Sequence, residues 1–306
     1  MRRAAILAIP VVTFVLSQSA NATDVATAED SPTAIVTGDL QGTDASDDAV
    51  AEDAAAETDG EGAASSDAEP EPGEEAEDAS VLPGEITADV ALVSDYIFRG
   101  ITNTDHNPAI QGGLTYSVDV GLPDAQPYVG FWGSNVDFND GGEASVELDL
   151  TFGFSGTIAD LDWDIGGQYY AYPGANSNLN YNYWEIPLHL SYALDDHFSL
   201  QAQYSYSPDF FANSGNAHYL LAGVRWQQPI HAVTLGVEAT TGHQWIEDNA
   251  TYGVDNYQDW RVAVSLTVEK ITLGIAYTDT NLSKSQCFSG TNQCEPRVTF
   301  SLGASF

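Results

Sequence analysis

From Ile86 to the carboxyl terminus, polar and apolar side chains alternate segment after segment, and a period of two admits few folds. The last segment shows it well. In EPRVTFSLGASF, Val298, Phe300, Leu302, Ala304 and Phe306 share one face while Arg297, Thr299, Ser301, Gly303 and Ser305 share the other, the pattern of a strand with one apolar side. Twelve such segments can be marked, at 87–98, 108–119, 126–137, 143–155, 161–172, 181–194, 197–207, 217–227, 231–245, 257–269, 270–280 and 295–306. Links after the even segments are short (GLPDA, GTIAD, DD, EK), and several after the odd ones are long (RGITNTDHN, SPDFFANSGN, IEDNATYGVDN). An even strand count with short and long links in turn is the parity of an antiparallel transmembrane β-barrel with both chain ends on the short-turn side. The expected fold is therefore all-β, a barrel of about twelve strands.

Alternation alone does not say which face is inside, because a soluble β-sandwich alternates too. Aromatic placement decides. On the apolar faces, Trp184, Tyr204, Tyr206, Trp245, Trp260 and Tyr277 fall near the long loops, and Trp163, Tyr192, Phe198, Trp226 and Phe306 near the short turns. Two bands of amphipathic rings match two bilayer interfaces. The opposite faces carry Gly, Ser, Thr, Gln and charges, as in Gln201, Gln203 and Ser205, and such faces belong around a wet lumen.

The amino-terminal part is of another kind. Arg2 and Arg3, the apolar run from Ala4 to Leu16 and small residues at Ala20 and Ala22 read as a secretory signal over residues 1–22. Residues 23–85 hold 20 of the 45 acidic residues and no Lys or Arg. That composition has too little apolar surface to offset backbone ordering, so this segment is expected to be disordered, a solvated spacer or a polyanion that visits the pore mouth. The barrel is expected over 86–306. A formal charge of −37 excludes nucleic acid as a partner, since nothing here could neutralise phosphates.

Five blocks carry a family resemblance: VSDYIFRGITNTDHNPAIQGG (Val93 to Gly113), GFWGSNVDF (Gly130 to Phe138), YWE (Tyr183 to Glu185), YSPDFF (Tyr206 to Phe211) and AYTDT (Ala276 to Thr280). Together they resemble the TorF family of proteobacterial outer-membrane porins over residues 87–306. The resemblance implies a pore-forming barrel in the outer membrane with its amino-terminal segment and carboxyl terminus in the periplasm. It also implies contact with lipid, lipopolysaccharide and the barrel-assembly machinery. The terminal Phe306 resembles the aromatic of a barrel assembly signal. No catalytic residue, cofactor or metal ligand is carried over.

Projecting the alternation inward gives the pore-lining candidates. Glu147, Asp149, Asp162, Asp164, Glu185 and His189 fall on the fourth to sixth segments, and Arg225, Arg261, Arg297 and Arg99 on the eighth, tenth, twelfth and first, with Asp95 on the first and Glu238 among the bases. Acidic and basic walls facing each other would orient water and select small hydrophilic solutes or ions, with mild cation preference because acids outnumber bases. Local pairing that merely plugs a narrow barrel is the alternative. His189 and Ser191 share a face, but no oxyanion donors accompany them. Asp105 with His106, and Glu247 with Asp248, are placed in outer loops. Pro187 within a strand predicts a bulge or a local break. Cys287 and Cys294, seven apart in a chain routed to an oxidising compartment, predict a disulfide.

Overall fold

A computed structural model describes residues 83–142 and 144–306; the expected signal and nearly all of the acidic segment lie outside the described residues. The chain enters β1 (Glu85–Val93), makes a small hairpin of β2 (Ile97–Phe98) and β3 (Ile101–Thr102), and continues into β4 (Ala109–Ser117), β5 (Gln126–Asn135), β6 (Val146–Ile158) and β7 (Leu161–Ala171). Then come β8 (Tyr183–Ala193), β9 (Phe198–Ser207), β10 (Ala217–Ile230), β11 (Val233–Ile246), β12 (Tyr257–Val268), β13 (Ile271–Thr280) and β14 (Arg297–Ser305). One helical turn, α1 (Asn249–Tyr252), lies between β11 and β12. All strands but β2 and β3 form one closed antiparallel barrel in chain order, sealed where β1 pairs with β14 on one side and β4 on the other. This is the twelve-stranded barrel the alternation requires.

Orientation follows the pleat. Ile110, Phe131, Leu148, Ile186, Leu220, Val262, Ile275 and Phe300 are exposed on the outside, each two-fifths or more accessible, while the inward-facing Gln111, Glu147, Glu185, Ser205 and Ser265 are buried within. An apolar exterior around a polar interior suits acyl chains and not water. Both aromatic bands lie on this exterior: Trp184, Tyr204, Trp245 and Tyr277 at one end, and Tyr192, Phe198 and Phe306 at the other, are all exposed. Among the described residues no helix is long and apolar enough to cross a membrane.

One departure from the sequence reading and one irregularity it anticipated have local causes. The first strand stops at Val93, not 98, because Ser94 to Asp95 turn the chain inward. Between β7 and β8 the ladder pairs Ile165 with Leu188 and next Gln168 with Glu185, leaving Gly166, Gly167, Ile186 and Pro187 unpaired between them. Pro187 has no amide hydrogen to offer there, and register resumes without an inserted residue, so the outcome is a break and not a bulge.

Candidate functional site in the barrel lumen

The first long link does not run outward. Arg99 (φ 48°) and Gly100 (φ 85°) are both left-handed, the requirement of a two-residue turn that matches strand twist, and they close β2 on β3 inside the barrel. Gly100 is obligatory: a Cβ there would lie 2.5 Å from Thr280 Cγ2 of β13 and 2.9 Å from Asp259 Cβ of β12. Asp95 knots the base of the hairpin. Its carboxylate accepts from the Thr102 hydroxyl, from Thr104 Oγ1 at 3.0 Å and from Arg297 Nη1 of β14 at 2.8 Å.

From that base the hairpin spans the lumen. Tyr96 donates its hydroxyl to Glu147 of β6 at 2.7 Å and meets Trp132 of β5 edge-on. Phe98 meets Tyr170 of β7. Ile101 packs with Tyr257, Val254 and the disulfide Cys287–Cys294, and the disulfide loop also accepts the Thr102 amide on Gln293 O. Arg99 reaches furthest. Its guanidinium makes a bidentate pair with Glu185 of β8 at 2.9 and 2.7 Å, donates to Gln244 Oε1 of β11 at 2.8 Å, and lies over the rings of Phe98 and Tyr219 at 4.6 and 4.3 Å. Both partners of the pair are nearly inaccessible, 5% for Arg99 and 3% for Glu185, so this is a desolvated interaction and not a screened surface contact.

The remaining candidates sort by what they touch. Arg225 and Arg261 converge on Glu238, at 2.8 and 2.9 Å, from the two strands flanking β11. They therefore pair along the wall instead of facing the acids across it. Asp149 accepts from Gln168 at 2.9 Å, and Asp164 from Tyr128 at 3.1 Å with His189 Nδ1 3.7 Å away. Asp162 accepts from Thr157 at 2.6 Å. His106 contacts both Arg297 and Asp95, so it belongs to the hairpin base, and Asp105 takes Asn139 at 3.0 Å. Glu247 and Asp248 serve structure: the Asn216 amide and side chain, and the Thr251 hydroxyl and amide respectively, hold their carboxyls below the usual range. Among the described residues no three His, Cys, Asp or Glu side chains cluster as a metal site would need.

Two features were missed. Asp259, 4% exposed and hydrogen-bonded to Tyr219 Oη at 3.2 Å, faces the same lumen; its parity with Arg261 was the available signal. The inward hairpin was missed too: its flanks, Ile97-Phe98 and Ile101-Thr102, are two residues each, and Gly100 is the one residue of its turn that points to a hairpin. The lumen is also graded along its axis. On β8, β9 and β10 the inward residues are buried at the long-loop end (Tyr183, Glu185, Ser205, Ser207, Tyr219) and half-buried at the short-turn end (His189, Ser191, Gln201, Ser199, Arg225, Gln227). The long-loop end is packed with Tyr96, Trp132, Tyr170, Tyr172, Tyr181, Tyr183 and Phe210.

Residues 75–306 match the family described as Bacterial protein of unknown function (Gcw_chp). The chain belongs to that family. No curated protein matches it. Among solved structures, this Gcw_chp barrel is similar to the NanC porin (10% identity, 72% of this chain and 99% of that one, TM-score 0.43). It is similar at the same score to the COG4313 outer membrane channel from Pseudomonas putida F1 (13% identity, 78% and 100%) and to LpxR from Salmonella typhimurium (10%, 72% and 99%).

Proposed function

We propose that the protein is an outer-membrane channel for passive diffusion of small hydrophilic solutes or ions, mildly selective for cations. The observation that carries this reading is the charge balance of the lumen. All four arginines among the described residues are in ion pairs, whereas, among the same residues, Asp89 and Asp162, half-buried on the inner faces of β1 and β7, are in none. Excess carboxylate on a water-facing wall attracts cations and repels anions. The resemblance to TorF-type porins supports the same reading, with a signal over 1–22, an acidic periplasmic segment over 23–85 and lipopolysaccharide around the barrel. A non-conducting barrel is the second reading, favoured by the hairpin that spans the lumen. Planar-bilayer recording separates them: stepwise conductance with a cation-directed reversal potential upholds the channel, and silence in barrels of verified fold overturns it.

A further inference from the structure

The hairpin is lightly built. Only two residue pairs join β2 to β3, and an isolated two-stranded hairpin is marginal in water, so side-chain contacts to the barrel wall hold it in place. Chief among them is the seat of Arg99, and nearly all of that seat belongs to the wall. Glu185 is fixed on β8, where Tyr170 Oη donates to it at 3.2 Å; Gln244 is fixed on β11, where its amide nitrogen donates to His218 O at 3.2 Å; and Tyr219 is fixed on β10, its hydroxyl on Asp259. Only the Phe98 ring comes from the hairpin itself. If the hairpin leaves, a carboxylate, an amide oxygen and an aromatic face stay together on three strands of a closed barrel, with Asp259 beside them.

The geometry points to a binding site for guanidinium-bearing cations at Glu185, Gln244 and Tyr219, held in the resting barrel by the chain's own Arg99 and released to a solute of the same chemistry. A planar cation with several N–H donors fits two carboxylate oxygens in parallel, a third acceptor and a ring face at once. A quaternary ammonium offers no such donors. Entry of the solute and departure of the hairpin are then one exchange, in which the wall keeps its ion pair while the plug loses its own. The proposal rests on the channel reading for its purpose, although the site exists whether or not the barrel conducts.

Ethylguanidinium is the probe, titrated calorimetrically into the full-length protein in detergent. Arg99→Ala is expected to bind it at least tenfold more tightly than wild type, and Arg99→Ala with Glu185→Gln to lose that gain; tetramethylammonium should bind neither. In wild type, ethylguanidinium but not tetramethylammonium should speed chymotryptic cleavage after Phe98 of the hairpin, a readout that needs no variant to fold. Equal binding by all three proteins, or cleavage unaffected by the probe, overturns the site. Binding without bilayer conductance keeps the site and removes the channel; conductance with equal binding does the reverse.

Discussion

Glu238→Gln tests whether lumen charge governs permeation. Among the described residues Glu238 alone compensates Arg225 and Arg261, through bonds of 3.1, 2.8 and 2.9 Å. The substitution keeps the shape of the side chain and takes the cluster from one net positive charge to two. At about 7 Å from a passing ion, one unit charge in water is worth roughly 0.6 kcal/mol. At 10 mM salt, where the screening length is about 30 Å, some 0.5 kcal/mol of that survives. Because the change disfavours cations and favours anions by the same amount, the selectivity ratio should move toward anions about fivefold. At 1 M salt the screening length falls to about 3 Å and the shift should nearly vanish. The two arginines are 32% and 23% exposed and so can turn to water, which limits the stability cost to about 1 kcal/mol. The assay is the reversal potential across a KCl gradient at both ionic strengths. An unchanged value at low salt, or an equal shift at high salt, refutes the reasoning.

Other consequences are as direct. Gly100→Val places a branched side chain at a φ of 85° against Thr280 and Asp259, so the hairpin should be expelled and trypsin should cut after Arg99 at least tenfold faster, with the barrel intact by circular dichroism. Ile275→Arg, on the outer face of β13 and 44% exposed, should cost about 2–4 kcal/mol of folding stability in lipid; Ser199→Arg, on the inner face of β9, should cost far less when unfolding is followed by urea titration. Reducing Cys287–Cys294 should loosen its loop by about 2 kcal/mol, seen as faster tryptic cutting at Lys284, while the melting temperature of the barrel stays put. Phe306→Ala should slow insertion in an assembly assay without changing the pairing of β14, since its backbone bonds to Ala88 use no side chain.

Periodicity carried the fold because every barrel strand pairs with a near neighbour in sequence and the lipid sorts its two faces. Marked segments such as 126–137, 197–207 and 257–269 therefore fall within a few residues of β5, β9 and β12. The site was legible only in part. Alternation gives the face of Arg225 but not its partner, which the register sets by placing Glu238 directly opposite. The hairpin was beyond such local reading, because its stabilising contacts span 86 residues from Arg99 to Glu185 and 202 from Asp95 to Arg297. A polar link of that length reads as solvent-exposed unless the distant acceptors are known.

Barrel size explains why one short hairpin suffices to fill the lumen. Twelve strands about 4.8 Å apart, tilted by roughly 40°, give a circumference near 75 Å and a backbone diameter of about 24 Å. A side-chain layer of about 6 Å on each wall leaves a passage on the order of 12 Å wide. Two paired strands with their side chains are about 10 Å across, so β2 and β3 take up nearly all of it, and one arginine at the tip can touch β8, β10 and β11 together. A wider barrel would let solutes pass beside such a hairpin, and its position would tune conductance only weakly. On the proposed channel reading, conduction and hairpin position are the same variable, so Arg99→Ala should raise the open fraction in bilayers by an order of magnitude or more, and a conductance indifferent to that change would place the permeation path somewhere other than this lumen.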